Sequence, residues 1–422
     1  MPTSGGDGQP PARRYGPTER RVIEPVRRFR PGDTVIRVTR PKYRGFERRG
    51  SDRLEASLTL EEPRSPLGRL WRVLVGVPIS SELEIHERLT KKKALAVFSS
   101  DALSSVAYAP QETVVVLLAA GAAAIFWSLP ISIAVVMLLA IVVFSYRQTI
   151  YAYPSGGGSY IVARANLGET PGLVAASALS VGYILTVSVS IASAVDQLVS
   201  AMPTLLPLRV ALGVGAVVLV TLANLRGIRE SGSILAAPTY LFLVSMFLMV
   251  GLGLFHLVQG DLMVAQPAQL PPPITALTPI LLLRAFAVGS AVMTGTEAIS
   301  NGIPAFREPR SHNAGITLLW MSAILGTLFL GISYLAGPIG AVPSETETVI
   351  SQLARTAFDG RGLPYLAAIS ATTLILVMAA NTAYADFPRL SALQAADGFL
   401  PRQLTYRGSR LVFSRGIIVL AV

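Results

Sequence analysis

The chain has 422 residues, of which 51% are hydrophobic and only 14% charged, with a mean hydropathy of +0.53; that balance excludes a soluble globular domain and fits a polytopic membrane protein. It has no cysteine, which removes disulfides, thiolate metal sites and cysteine nucleophiles from consideration. The net charge of +11 raises nucleic acid as a partner, but 21 of the 36 lysines and arginines lie in residues 1–93 and most of the others in alternate loops, which argues against it.

Residues 1–66 are polar and rich in Arg, Pro and Gly, with no apolar core of a cleavable signal peptide. They read as a mainly disordered basic arm in which PGDTVIRVTR suits a short strand. Its arginine pairs at 13–14, 20–21 and 27–28 suit a solvated tail, with anionic lipid headgroups as the alternative partner. Residues 67–93 begin apolar and end charged, as an interfacial helix and linker would.

Residues 94–422 form the transmembrane domain. Apolar length places eight spans at about 94–120, 125–146, 171–200, 208–225, 233–258, 279–303, 314–337 and 363–385, each able to cross ~30 Å of hydrocarbon. A ninth begins near Ser414 and is cut off at Val422. The arm, the loops holding Arg147 and Arg164, Arg226 and Arg229, and Arg307 and Arg310, and residues 386–415 together carry 32 of the 36 basic residues. That side is predicted to be cytoplasmic, which makes the protein multi-pass with its N-terminus inside. Residues 343–362 suit a short outer helix, and SYIVARANLG after the glycines at 156–158 suits a re-entrant or interfacial one. No strand or Lys-Ser/Thr supports reading those glycines as a phosphate cradle.

The first span is the organising stretch. KKKALAVFSSDALSSVAYAPQETVVVLL leaves three lysines and places Asp101 about 12 Å beyond Lys93, inside the hydrocarbon. A carboxylate there costs at least ~2.5 kcal/mol, so it normally meets an ion, a proton or water. Ser99, Ser100, Ser104 and Ser105 surround it and suit the freed backbone of a broken helix. The sixth span repeats the pattern: Gly289, Gly295 and Gly302 weaken it, while Thr294, Thr296, Glu297, Ser300 and Asn301 bring polar groups to its middle and inner half. Two interrupted spans in corresponding positions point to an inverted-repeat transporter, against the alternative of a small-residue packing seam. In the third span Tyr183 and Thr186 share a face, with Ser190 a turn on; their hydroxyls suit either a site lining or bonds to neighbouring carbonyls. His86, His256 and His312 sit in a linker and near span ends, no metal-ligand spacing occurs, and neither an enzyme nor a cofactor is predicted.

ERLTKKKALAVFSSDALSSVAYAPQE, YPSGGGSYIVARANLG and TGTEAISNG are long and ordered, and with them the chain from about Pro78 to Arg410 resembles the amino acid–polyamine–organocation (APC) superfamily, most closely its bacterial potassium importers. The resemblance implies an all-α LeuT-type inverted repeat of five plus five helices, broken in the first and sixth. It also implies proton-coupled uptake and a homodimer with a cytosolic C-terminal domain in the full-length protein. Carried over by position, it places Asp101, Tyr108, Tyr183, Thr186 and Thr294 at the substrate or cation site and Glu297 at a proton-coupling position. Two departures stand out. Gly182 occupies a place where those importers carry a second aspartate, and the chain stops short of the last spans.

Potassium needs several oxygens in place of its water, which Tyr and Thr hydroxyls, unwound carbonyls and a carboxylate supply. An amino acid needs its carboxylate held at a half-helix N-terminus, where SSDALSS offers no glycine and a repelling aspartate. Gly182 pulls the other way, by removing a carboxylate and leaving room for a larger substrate. Proton-coupled potassium uptake, an amino acid or organic cation permease, and a non-transporting membrane sensor thus stand as the three expectations.

Overall fold

A computed structural model describes residues 89–422, apart from 155, 157, 227–231, 263–271 and 407–412, together with four strands in the N-terminal arm. Of the interfacial helix and linker expected at 67–93, residues 67–88 lie outside the described residues. In the arm, β1 (Arg20–Pro25) pairs antiparallel with β2 (Thr34–Thr39), and β3 (Phe46–Arg49) with β4 (Arg53–Ala56). The β2 sequence TVIRVT is the stretch with strand chemistry, five of its six residues being Val, Ile or Thr at the β-branched end of the propensity scale.

The membrane unit is all helix. Its first span is not one helix but three, α1 (Lys91–Phe98), α2 (Ser100–Ser104) and α3 (Ala109–Leu118), joined by a bend at Ser99 and a 3-10 turn at Ser105–Ala107. Spans two to five are α4 (Ser128–Ala152), α6 (Glu169–Ala201), α7 (Arg209–Leu225) and α8 (Gly232–Gln259), with the short α5 (Gly158–Leu167) between the second and third. The sixth is broken again, into α9 (Pro279–Gly289), a 3-10 turn at Ser290–Met293, an unwound segment and α10 (Ala298–Asn301). The seventh is α11 (Arg310–Ile339), then the short helix α12 (Val349–Ala357), the eighth span α13 (Leu363–Ala396) and the start of a ninth, α14 (Ser414–Ala421). Seven segments among the described residues are long and apolar enough to cross a membrane; the broken first span is the eighth.

The eighth span differs from its expected bounds. Its helix runs eleven residues past Ala385, through Asp386 and Pro388, to Ala396. Charge and proline there look like a helix end, yet a proline needs only its ring accommodated and one backbone bond given up. Leu390, Ser391, Gln394 and Ala395 stay buried beyond it, so packing carries the helix on.

Spans pack in a repeating register. The first lies against the sixth (α3 on α9), the second against the seventh (α4 on α11), the third against the eighth (α6 on α13) and the fourth against the start of the ninth (α7 on α14). In a five-plus-five repeat each span corresponds to the one five further on. Small residues make the closest of these seams: Ala368, Ala371, Ala379, Ala380 and Ala383 are all buried on α13, which lets backbones approach where lipid gives no hydrophobic drive. Large apolar side chains instead cover the outside, as on α7 where Val210 is 78% exposed and Leu219 65%. In hydrocarbon these are lipid-facing positions.

Candidate functional site

The two breaks meet. Asp101, on α2, is 3% exposed, and its carboxyl lies directly against the backbone of Gly295 in the unwound part of the sixth span. A Cβ at residue 295 would sit 2.7 Å from the Asp101 carboxyl and 2.8 Å from the Ala102 nitrogen, and φ there is +79°. Both the left-handed backbone and the lack of room call for glycine. Ser104 Oγ donates to the Asp101 carbonyl at 2.7 Å, taking up one backbone group that the interrupted helix frees.

Hydroxyls gather one turn further along. Ser105 Oγ lies 3.0 Å from both Tyr108 Oη and Thr294 Oγ1, and Tyr108 Oη and Thr294 Oγ1 are 3.4 Å apart. Residues 189 apart in sequence are thus held together by the crossing of the first and sixth spans. On the other side of Gly295 the Tyr183 hydroxyl donates to Glu297 Oε1 at 2.7 Å, tying α6 to the sixth span. Thr186 and Ser190 continue the buried stripe of α6 from Tyr183 at helical spacing. All six residues singled out in the sequence therefore face one region. Five are joined by contacts through Ser105, Gly295 or one another, and Thr186 by sharing a face with Tyr183.

One of the Asp101 carboxylate oxygens, Oδ1, is buried and has no hydrogen-bond partner among the described residues. A carboxylate in low dielectric is costly unless paired. Gly182, by contrast, lies on the exposed side of α6 with nothing within 4 Å of where its Cβ would be. A side chain there would meet open space, and glycine is not required by packing.

Below the breaks the halves are strapped to one another. Leu89 N donates to the Ala305 carbonyl at 2.8 Å and Arg307 N to the Leu89 carbonyl at 3.1 Å, while Phe98 and Phe306 stack at 5.5 Å. The matched family begins at this strap: the family model for amino acid permeases covers residues 89–422. The chain belongs to the amino acid permease family. It is also 47% identical over 352 residues to the potassium transporter KimA of Bacillus subtilis (strain 168), an alignment that takes in 83% of this chain. It spans 58% of that relative's length.

The glycine-rich turn before α5 serves close packing. Gly156 and Gly158 both have positive φ, and a side chain on Gly158 would run into the Asn301 amide at the end of α10. α5 is also latched to the foot of the eighth span: Tyr160 Oη donates to Asp397 Oδ2 at 2.5 Å, Arg164 pairs with the same oxygen, and the Arg164 guanidinium sits 5.8 Å over the Phe399 ring. The Tyr160 hydroxyl, and then Arg164, hold the Asp397 carboxyl below the usual carboxylate range. A lowered folded value means that the latch contributes fully above the unfolded value of ~3.9 and is lost only as pH falls through the lower one. Asp397→Asn is therefore expected to speed amide exchange severalfold in 158–167 at pH 7. Wild-type exchange protection there should hold between pH 5 and 8 once intrinsic rates are divided out.

Two residues of this region escape a sequence reading. Asp386 looks like a loop charge until the eighth span is seen to continue past it. Asn381 looks like one polar residue in an apolar run, and accepts from Asn224 of the fourth span at 2.5 Å.

Proposed function

We propose that the full-length protein is a secondary transporter that takes up potassium together with protons across the bacterial plasma membrane. One observation carries this: a buried carboxylate oxygen of Asp101 without a hydrogen-bond partner among the described residues, beside the hydroxyls of Ser105, Tyr108 and Thr294 at the crossing of two broken helices. A monovalent cation stripped of water asks for one negative charge and several neutral oxygens, and those groups supply both kinds. The similarity to a potassium transporter supports the same substrate. Glu297, bonded to Tyr183 and next but one to Gly295, is the group we assign to the proton.

An amino acid substrate draws support from the family description, but it brings a carboxylate of its own to the Asp101 charge. The bias of basic residues to one set of loops supports a cytoplasmic N-terminus, and the resemblance supports a homodimer.

The test is growth of a potassium-uptake-deficient bacterium at micromolar potassium with the full-length gene expressed. Rescue, without uptake of labelled amino acids, is the expected result. Abundant protein in the membrane with no rescue overturns the potassium assignment. Thr294→Val, which keeps the shape but removes one hydroxyl ligand, is expected to raise the half-saturating potassium concentration about tenfold, roughly the 1.4 kcal/mol of one lost polar contact.

A further inference from the structure

Asp386 has no part in the transport site described above, yet it faces the same region. Its side chain is 12% exposed, and it lines a cavity of about 220 Å³ together with Tyr183, Asn301 and Arg389. Tyr183 belongs to both places: its side chain borders the cavity, and its hydroxyl holds Glu297 at 2.7 Å. A cavity of this size holds a cation and several waters, each water taking ~30 Å³.

The partner of Asp386 is unusual for a buried carboxylate. Arg389 reaches it from one turn along the same helix, through a single contact of 3.3 Å, while its own side chain remains 63% exposed. A guanidinium so solvated loses little on leaving, and one long contact lacks the two-bond geometry that makes arginine–carboxylate pairs strong. Asp386 is thus neutralised by a cation that is covalently tethered but weakly held.

We propose that Asp386 is a second station for the transported monovalent cation, and that Arg389 is its built-in competitor, resting on Asp386 in the empty state and yielding to an arriving ion. An ion leaving Asp101 past Tyr183 meets Asp386, and the returning guanidinium then displaces it. Removing the arginine makes the station sticky; removing the carboxylate abolishes it.

This rests on the potassium assignment, and the experiment separates the two. Rubidium-86 binding is measured at equilibrium on the purified full-length protein in nanodiscs. Asp101→Asn silences the first site, and the residual binding is followed. Adding Arg389→Gln in that background is expected to tighten residual binding at least about tenfold, and adding Asp386→Asn as well to remove the gain. Unchanged or weaker binding on adding Arg389→Gln overturns the proposal, as does a gain that survives Asp386→Asn. Should the buried Asp386 variant fail to fold, the exposed Arg389 variant decides alone by whether binding tightens. Wild-type protein that binds no rubidium sinks the potassium assignment and this proposal with it, whereas wild-type binding with no response to Arg389→Gln sinks this proposal only.

Discussion

Asp101→Asn is expected to lower potassium uptake at least about 100-fold, with the protein still inserted and monodisperse. Two decades correspond to about 2.7 kcal/mol, a modest share of what one full charge contributes to a cation in low dielectric. The amide keeps the size of the side chain and even one acceptor, so packing against Gly295 is retained and only the charge is lost. Gly295→Ala is the complementary variant. It keeps the charge and displaces it, because a Cβ at 2.7 Å from the carboxyl on a backbone with φ of +79° forces the two breaks apart. Both variants should reach the membrane and fail in rubidium uptake by whole cells. Uptake within threefold of wild type for Asp101→Asn would remove the carboxylate from the transport site.

Glu297→Gln should separate the cation from the proton. The Tyr183 hydroxyl donates to Glu297 Oε1, and a glutamine carbonyl accepts that bond equally well, so the local geometry survives while the exchangeable proton is lost. Net uptake driven by an inward proton gradient is expected to fall at least about tenfold. Exchange of internal potassium for external rubidium, which needs no net proton, should persist within about threefold. Proteoliposomes with and without an imposed pH gradient give both rates. Gradient-driven uptake that continues unchanged in the glutamine variant would assign the proton to another group. Tyr183→Phe leaves the carboxyl without its donor, and its effect should fall between wild type and Glu297→Gln.

Much of this was legible before any coordinates. A span must fill ~30 Å of hydrocarbon with apolar residues, so eight spans and the start of a ninth stand out by length alone. The breaks also announce themselves, since Asp101 amid serines and Glu297 after Gly295 are costly in lipid without a purpose. The end of the eighth span did not. Asp386, Pro388 and Arg389 in a row carry the local signal of a terminus, and only burial of Leu390 and Ser391 against neighbouring spans overrides it. Gly182 misleads in the opposite sense: its position next to Tyr183 in sequence suggests a missing ligand, while a helix turns adjacent residues by 100° and sets it on the outer face.

The amino-acid sequence by itself determined that the chain crosses a membrane, where its helices run, which two are interrupted and which acidic groups lie at the interruptions. These are local properties, set by transfer cost and by periodicity over a few residues. The tertiary structure alone decided that Ser105 meets Thr294, that Tyr183 reaches Glu297, that Asp101 rests on Gly295, and that Asp386 opens on a cavity beside Tyr183. Those contacts join segments more than a hundred residues apart, and their register follows from packing each span against the one five further along, which no stretch of sequence encodes on its own.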